Sequence, residues 1–275
     1  MRLDIQILGN LVATIDDVPI VPPAGKPRQI LALLAINADR VVSTPALMTE
    51  LWGQSRPRAA STTLHTYVAK LRRGIEPAVR GDGGVDAKRI LITEQIGYRL
   101  RAPVLDVDAS RYEHLAAAGR LAADRGDYQT ASRQLGAALS LWRGPALSDI
   151  VAGPHLAVEV VRLEESRLSD LDLRIEADLR LGRHRRLLAE LAGLCARYPL
   201  SESLCAKYML ALYRSGQQWR ALDVFHRLRA TMVEELGVDP STELYRLHLA
   251  ILRRDLSDDD ATRFAPTWAT TPISG

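Results

Sequence analysis

The sequence predicts a mainly α protein with a small β component, and three observations carry that prediction. Residues 3–21 place apolar side chains at roughly every second position, the pattern of half-buried strands. Leu64, Val68, Leu71 and Ile75 fall at i, i+4, i+7 and i+11, which is one face of a helix. From Ala109 onward the chain reads as helices separated by short glycine turns, and two of these, at Gly182 and Gly216, are 34 residues apart.

The elements follow in order. Leu3, Ile5 and Ile7, then Val12 and Ile15, a turn at Asp16-Asp17, and Val18 and Ile20 predict a small antiparallel sheet. Pro22-Pro23-Ala24-Gly25 ends it. Pro27 to Asn37 is a first helix with Ile30, Leu31, Leu33, Leu34 and Ile36 mostly buried. Thr44-Pro45 reads as an N-cap followed by proline at the first helical position, and Gly53 stops this second helix after Trp52. The third helix spans roughly residues 58–75. After the loop Gly81-Asp82-Gly83-Gly84, the stretches Ile90-Leu91-Ile92-Thr93 and Gly97-Tyr98-Arg99-Leu100 form a hairpin. Sheet, three helices, hairpin is the order of a winged helix-turn-helix, with the hairpin as the wing.

Pro103 to Asp108 reads as a linker. Beyond it, the turns Arg125-Gly126-Asp127, Leu181-Gly182-Arg183 and Ser215-Gly216-Gln217 align with one another. The 34-residue spacing is the period of tetratricopeptide helix pairs, whose apolar faces require a stacked neighbour. Gly237-Val238-Asp239-Pro240 combines a glycine C-cap, an aspartate N-cap and a proline at the next helix start. The last helix ends near Arg254, and the tail from Ser257 is expected to be disordered. The predicted organisation is a winged helix-turn-helix over residues 1–105, a tetratricopeptide-like all-α domain over 106–256, and a tail over 257–275.

Charge points to function. The net charge is +3, but residues 1–105 hold 14 basic and 9 acidic residues, whereas the remainder is slightly acidic. Leu51 to Ile75 contains five Lys or Arg and no Asp or Glu. A basic, acid-free segment with helical periodicity suits a surface that faces phosphates. The outer face of the third helix carries Thr62, Thr66, Ala69 and Arg73, flanked by Thr63, His65 and Lys70. Short side chains let a helix backbone approach base edges, hydroxyls donate or accept there, and long cations reach phosphates. Arg72 sits nearer the core side, where it either packs or reaches a phosphate. Arg58, Arg89, Thr93 and Arg99 are weaker candidates on the wing and flanks.

Other functions find little support. Two cysteines, Cys195 and Cys205, are too few for a disulfide framework or a zinc site and read as small apolar side chains in a reducing compartment. The N-terminus has no signal core, and the apolar run Ile30 to Ile36 is too short to span a bilayer. A cytoplasmic, nucleoid-associated protein without membrane contact is expected. Gly81-x-Gly83 lacks the third glycine and the preceding strand of a dinucleotide site, and no enzyme, cofactor or metal motif is present. His184 reads as structural or solvated, the Arg183-His184-Arg185-Arg186 run as a solvated helix start, and Trp142 and Trp219 as packing anchors.

Several motifs together resemble the Streptomyces antibiotic regulatory protein (SARP) family of transcriptional activators. Ile7-Leu8-Gly9, Lys26-Pro27-Arg28-Gln29, Glu50-Leu51-Trp52-Gly53, Thr63-Leu64-His65-Thr66-Tyr67 through Leu71-Arg72-Arg73, and Gly97-Tyr98-Arg99-Leu100 are similar to an OmpR/PhoB-type winged helix. Leu141-Trp142-Arg143-Gly144-Pro145-Ala146-Leu147, Leu181-Gly182-Arg183-His184, Tyr198-Pro199-Leu200, Leu212-Tyr213-Arg214-Ser215-Gly216 and Glu235-Leu236-Gly237-Val238-Asp239-Pro240 are similar to the bacterial transcriptional activation domain. The resemblance covers about residues 3–254. It implies binding to direct repeats in promoter DNA as a dimer or head-to-tail oligomer, and recruitment of RNA polymerase to antibiotic biosynthetic genes. It also implies that the third helix enters the major groove, with Thr62, Thr63, His65, Thr66, Lys70 and Arg73 in the recognition role. Many such wings carry an arginine near the tip, where this chain has Glu94 and Gln95. Two alternatives remain open from the residues alone: a helical-repeat adaptor for other proteins, and a ligand-gated regulator of the same DNA-binding type.

Overall fold

The computed structural model describes residues 1–23, 25–79 and 86–256. The expected loop at Gly81 to Gly84 and the expected tail from Ser257 lie outside the described residues. Two compact units are present, one made of Met1–Ala118 with Gln134–Asp170, the other of Gly119–Arg133 with the chain from Leu171 onward.

The first unit opens with β1 (Arg2–Gln6), β2 (Val12–Ile15) and β3 (Val18–Pro19). β1 pairs antiparallel with β2, Leu3 opposite Ile15, and alternation buries Leu3, Ile5, Ala13 and Ile15. A fourth strand, β7 (Val104–Val107), lies parallel to β1 with Arg2 opposite Val104. The segment read as a linker is therefore part of the sheet. Its partner is a hundred residues away, so no local pattern announces it; the Arg2–Asp106 ion pair at 2.7 Å ties the two strands. Where β7 runs into α4 (Asp108–Asp124), the buried Asp108 carboxylate accepts hydrogen bonds from the amides of Ile7 at 2.8 Å and Leu8 at 3.1 Å. Burial pushes this carboxyl above its usual range, while those amides and Arg143 at 3.5 Å oppose the shift.

Three helices follow the sheet: α1 (Lys26–Ile36), α2 (Thr44–Trp52) and α3 (Ala60–Val79). The cap of α2 is Ser43, not Thr44: the Ser43 hydroxyl accepts from the Ala46 amide at 3.3 Å, and Thr44-Pro45 are already helical. Both residues are capping types and proline is tolerated throughout the first turn, so the register was ambiguous by one. α3 continues past the expected end at residue 75 to Val79, with Pro77 in its last turns. The wing is β5 (Leu91–Thr93) and β6 (Gly97–Leu100), and a three-residue strand not foreseen, β4 (Val41–Ser43), pairs with β6 on its other side. Gly97 makes that pairing possible, because a Cβ there would lie 2.0 Å from the Val42 carbonyl oxygen.

Glu50, in α2, is buried and caps the start of α6 (Pro154–Arg180), the helix that follows α5 (Tyr128–Leu139) in the chain. Its carboxylate accepts from the amides of Gly153 at 2.6 Å, His155 at 2.8 Å and Leu156 at 3.1 Å, and from the Gln29 side chain at 3.0 Å. Four donors and a helix N-terminus offset the cost of burying the charge. In the same unit Trp142 packs edge-on to Tyr112 at 5.5 Å with Arg167 over its ring, the anchor role expected of it.

The second unit contains α7 (His184–Arg197), α8 (Glu202–Arg214), α9 (Gln218–Leu236) and α10 (Thr242–Arg253). The three turns that align in sequence share one backbone geometry. Gly126, Gly182 and Gly216 have φ of 75°, 70° and 80°, where a side chain is strained. In each turn the next residue donates back across the glycine: Asp127 to Ala122 at 2.9 Å, Arg183 to Asp178 at 3.0 Å and Gln217 to Leu212 at 2.9 Å. Leu191, Met209, Leu212, Phe225, Leu247 and Ile251 form the core. Trp219 is not a packing anchor: it is 72% exposed, because it faces outward from the first turn of α9 while Ala221, Val224 and Phe225 take the inner face.

Candidate nucleic-acid interface

The geometry of α3 follows from its wheel. Leu64, Val68, Leu71 and Ile75 are all buried, at 2% exposure or less, which fixes which side chains face outward. Ser61, Thr62, His65, Thr66, Ala69, Lys70 and Arg73 are exposed, and Thr63 is half-buried. The face begins with hydroxyls in its first turns and ends with cations. The Thr66 hydroxyl donates to the Thr62 carbonyl at 3.0 Å, which commits its proton and leaves its oxygen free to accept.

Beside this face lies an aromatic and cationic row that sequence reasoning did not single out. Tyr67 of α3 stacks on Trp52 of α2, with centroids 6.5 Å apart and planes at 24°. Lys70 sits 5.9 Å from the Tyr67 centroid and Lys26 sits 5.4 Å from that of Trp52. Lys26 also donates to the Leu51 carbonyl. The Tyr67–Lys70 spacing of three residues was the available signal, since i and i+3 are neighbours on a helix.

Arg72 of the recognition helix and the weaker candidates of the wing and flanks separate into side chains held within the protein and exposed cations. Arg72 does not share the outer face: its guanidinium donates to the Leu91 carbonyl at 3.1 Å and 2.7 Å and to the Thr93 hydroxyl at 2.7 Å. Two residues named as candidates, Arg72 and Thr93, thus hold each other and brace the wing against α3. Tyr98 lies beneath them, its phenol pushed up by burial against the opposing pull of Arg72. Arg99 is ion-paired with Glu94 at 2.5 Å. Arg58 and Arg89 are exposed, and the wing tip presents Ile96 at 64% exposure.

Among the described residues no three His, Cys, Asp or Glu gather into a possible metal site, and no helix is long and apolar enough to cross a membrane. The fold and this face define a DNA-binding transcriptional regulator of the winged-helix class. Residues 21–100 match the family described as "Transcriptional regulatory protein, C terminal", and residues 107–252 match "Bacterial transcriptional activator domain". The chain is 48% identical to the regulatory protein DnrI of Streptomyces peucetius, over 92% of this chain and 93% of that one. It is 36% identical to the regulatory protein AfsR of Streptomyces coelicolor, over 90% of this chain but 24% of the relative. The solved structure of Mycobacterium tuberculosis EmbR, in complex with a low affinity phosphopeptide, superposes with a TM-score of 0.81 at 35% identity, covering 96% of this chain and 69% of that one. The chain belongs to the Streptomyces antibiotic regulatory protein family, whose matched domains and relatives are transcriptional regulators and not enzymes.

Proposed function

We propose that this protein is a cytoplasmic, sequence-specific activator that binds direct repeats in promoter DNA and recruits RNA polymerase to secondary-metabolite biosynthetic genes. The observation that carries the reading is the outer face of α3 from Thr62 to Arg73, free of acids and graded from Thr62, Thr63, His65 and Thr66 to Lys70 and Arg73. In the major groove the hydroxyl end faces base edges, and the cations hold phosphates on either side. Arg58 and Arg89 add exposed charge on the flanks. The pairing of Arg72 with Leu91 and Thr93 supports a structural role for both side chains and shifts recognition onto the free face of α3. Two protomers bound head to tail on a direct repeat require half-sites about 10–11 bp apart, or a multiple of that.

Footprinting of the purified protein on DNA upstream of its neighbouring genes tests the reading. Protection of two like-oriented sequence elements at helical spacing is expected. Protection without a repeat, or equal binding to shuffled competitor, contradicts it.

A further inference from the structure

The two cysteines of this chain form a pair that DNA binding does not use. Cys195 lies near the end of α7 and Cys205 in the first turns of α8, on either side of the turn that joins the two helices. Their sulfurs are 3.8 Å apart and joined by a thiol–thiol hydrogen bond. Cys205 is buried among the core side chains, whereas Cys195 is only half-buried. No other cysteine exists in the sequence, so neither has a competing partner within the chain.

We propose that Cys195 and Cys205 are an oxidation site, closed by hydrogen peroxide into a disulfide across the α7–α8 hairpin. The pair sheds its first proton readily, because the remaining S–H donates to the thiolate and Arg227 adds positive charge. The second proton is held far more tightly, since two adjacent thiolates repel. The thiolate attacks one peroxide oxygen, the O–O bond breaks, and the leaving hydroxide takes a proton to become water. The sulfenic acid so formed is attacked by the second thiol: the S–S bond forms, the S–O bond breaks, and a second water leaves. Two thiols and one peroxide thus give one disulfide and two waters. Cys205, whose thiol pKa is lowered by the hydrogen bond from Cys195, is the attacking sulfur; peroxide reaches it past the half-buried Cys195, which keeps its proton and then resolves the intermediate. The sulfurs must close from 3.8 Å to about 2.05 Å.

The test uses the full chain, reduced and then treated with one equivalent of hydrogen peroxide or, in parallel, with diamide, a thiol oxidant that needs no sulfenic step. Samples are denatured, alkylated with iodoacetamide and weighed intact. Both thiols are expected to disappear together, with the mass lower by two hydrogens, and dithiothreitol should restore two alkylated cysteines. Digestion without reductant should yield one cross-linked peptide pair containing Cys195 and Cys205. In Cys195→Ser and Cys205→Ser variants peroxide should leave oxygen adducts or an alkylatable thiol instead. If wild-type chains keep two alkylatable thiols after both oxidants, gain oxygen in place of losing hydrogen, or cross-link between chains, the proposal is overturned. None of these outcomes bears on DNA binding, so the result stands apart from that reading.

Discussion

The guanidinium of Arg99 lies 2.5 Å from the carboxylate of Glu94, so the one arginine on the wing strand β6 is neutralised within its own hairpin. Both side chains are partly exposed, which leaves the pair open to competition from a phosphate. Glu94→Gln should release Arg99. The variant is expected to bind any duplex more tightly than wild type and to steepen log K against log salt by about 0.9, the value of one added phosphate contact. Fluorescence anisotropy over a salt series reads this directly. An unchanged slope places Arg99 out of reach of DNA.

Arg72, Lys70 and Arg73 are neighbours in sequence and should behave differently. Arg72→Ala strips the Leu91 carbonyl and the Thr93 hydroxyl of their donors. It should lower stability by about 1–3 kcal/mol, seen in chemical denaturation. Lys70→Ala and Arg73→Ala are on the exposed face and should leave stability nearly unchanged. Each should flatten the salt dependence of DNA binding by about 0.9 log units per log unit of salt. A stable Arg72→Ala protein with a flattened slope would reverse this division of labour.

Glu50 is the acceptor for three backbone amides at the start of α6 and for Gln29. Glu50→Ala leaves the buried Leu156 amide and Gln29 side chain without this acceptor, together with the part-buried Gly153 and His155 amides, and should cost roughly 3 kcal/mol or more. A large drop in melting temperature of the purified variant is expected. A melting temperature equal to wild type would mean that water replaces the carboxylate at no cost.

Stability should also fall in mild acid. Burial lowers the pKa of His184, with Arg214 adding to the effect, and burial lowers that of His248, with His226 adding. His248 stacks on Phe225 at 4.1 Å between ring centroids. For both residues the folded state holds its proton less well than the unfolded chain, whose histidines titrate near about 6.5. The unfolded state therefore binds more protons as pH falls through that value, and folding weakens. A melting series from about pH 7.5 to 5.5 should decline in wild type, and His248→Phe should flatten part of that decline. A flat wild-type series contradicts the assignment.

What was legible in the sequence was whatever is encoded locally. The buried stripe of α3 and the repeated glycine turns at Gly126, Gly182 and Gly216 are short-range patterns, and each formed as read. β7 has no local signature because its partner β1 lies a hundred residues earlier in the chain, and β4 has none because three residues carry no period. The size of Trp219 suggests burial, but the helix phase set by Ala221, Val224 and Phe225 turns it outward. In the candidate interface the inward lean of Arg72 showed on the wheel, but its grip on Leu91 and Thr93 depends on how the wing docks. The same holds for the Trp52–Tyr67 stack, which joins two helices.

The central claim is that the hydroxyl end of α3 reads bases. Selection of binding sites from a randomised duplex library, for wild type and for Thr62→Val and Thr66→Val, tests it most directly. These variants keep the size of the side chain and remove its oxygen. The account predicts that preference changes at one or two positions within each half-site, while the salt dependence of binding stays as in wild type. Identical preferences for the three proteins would contradict it.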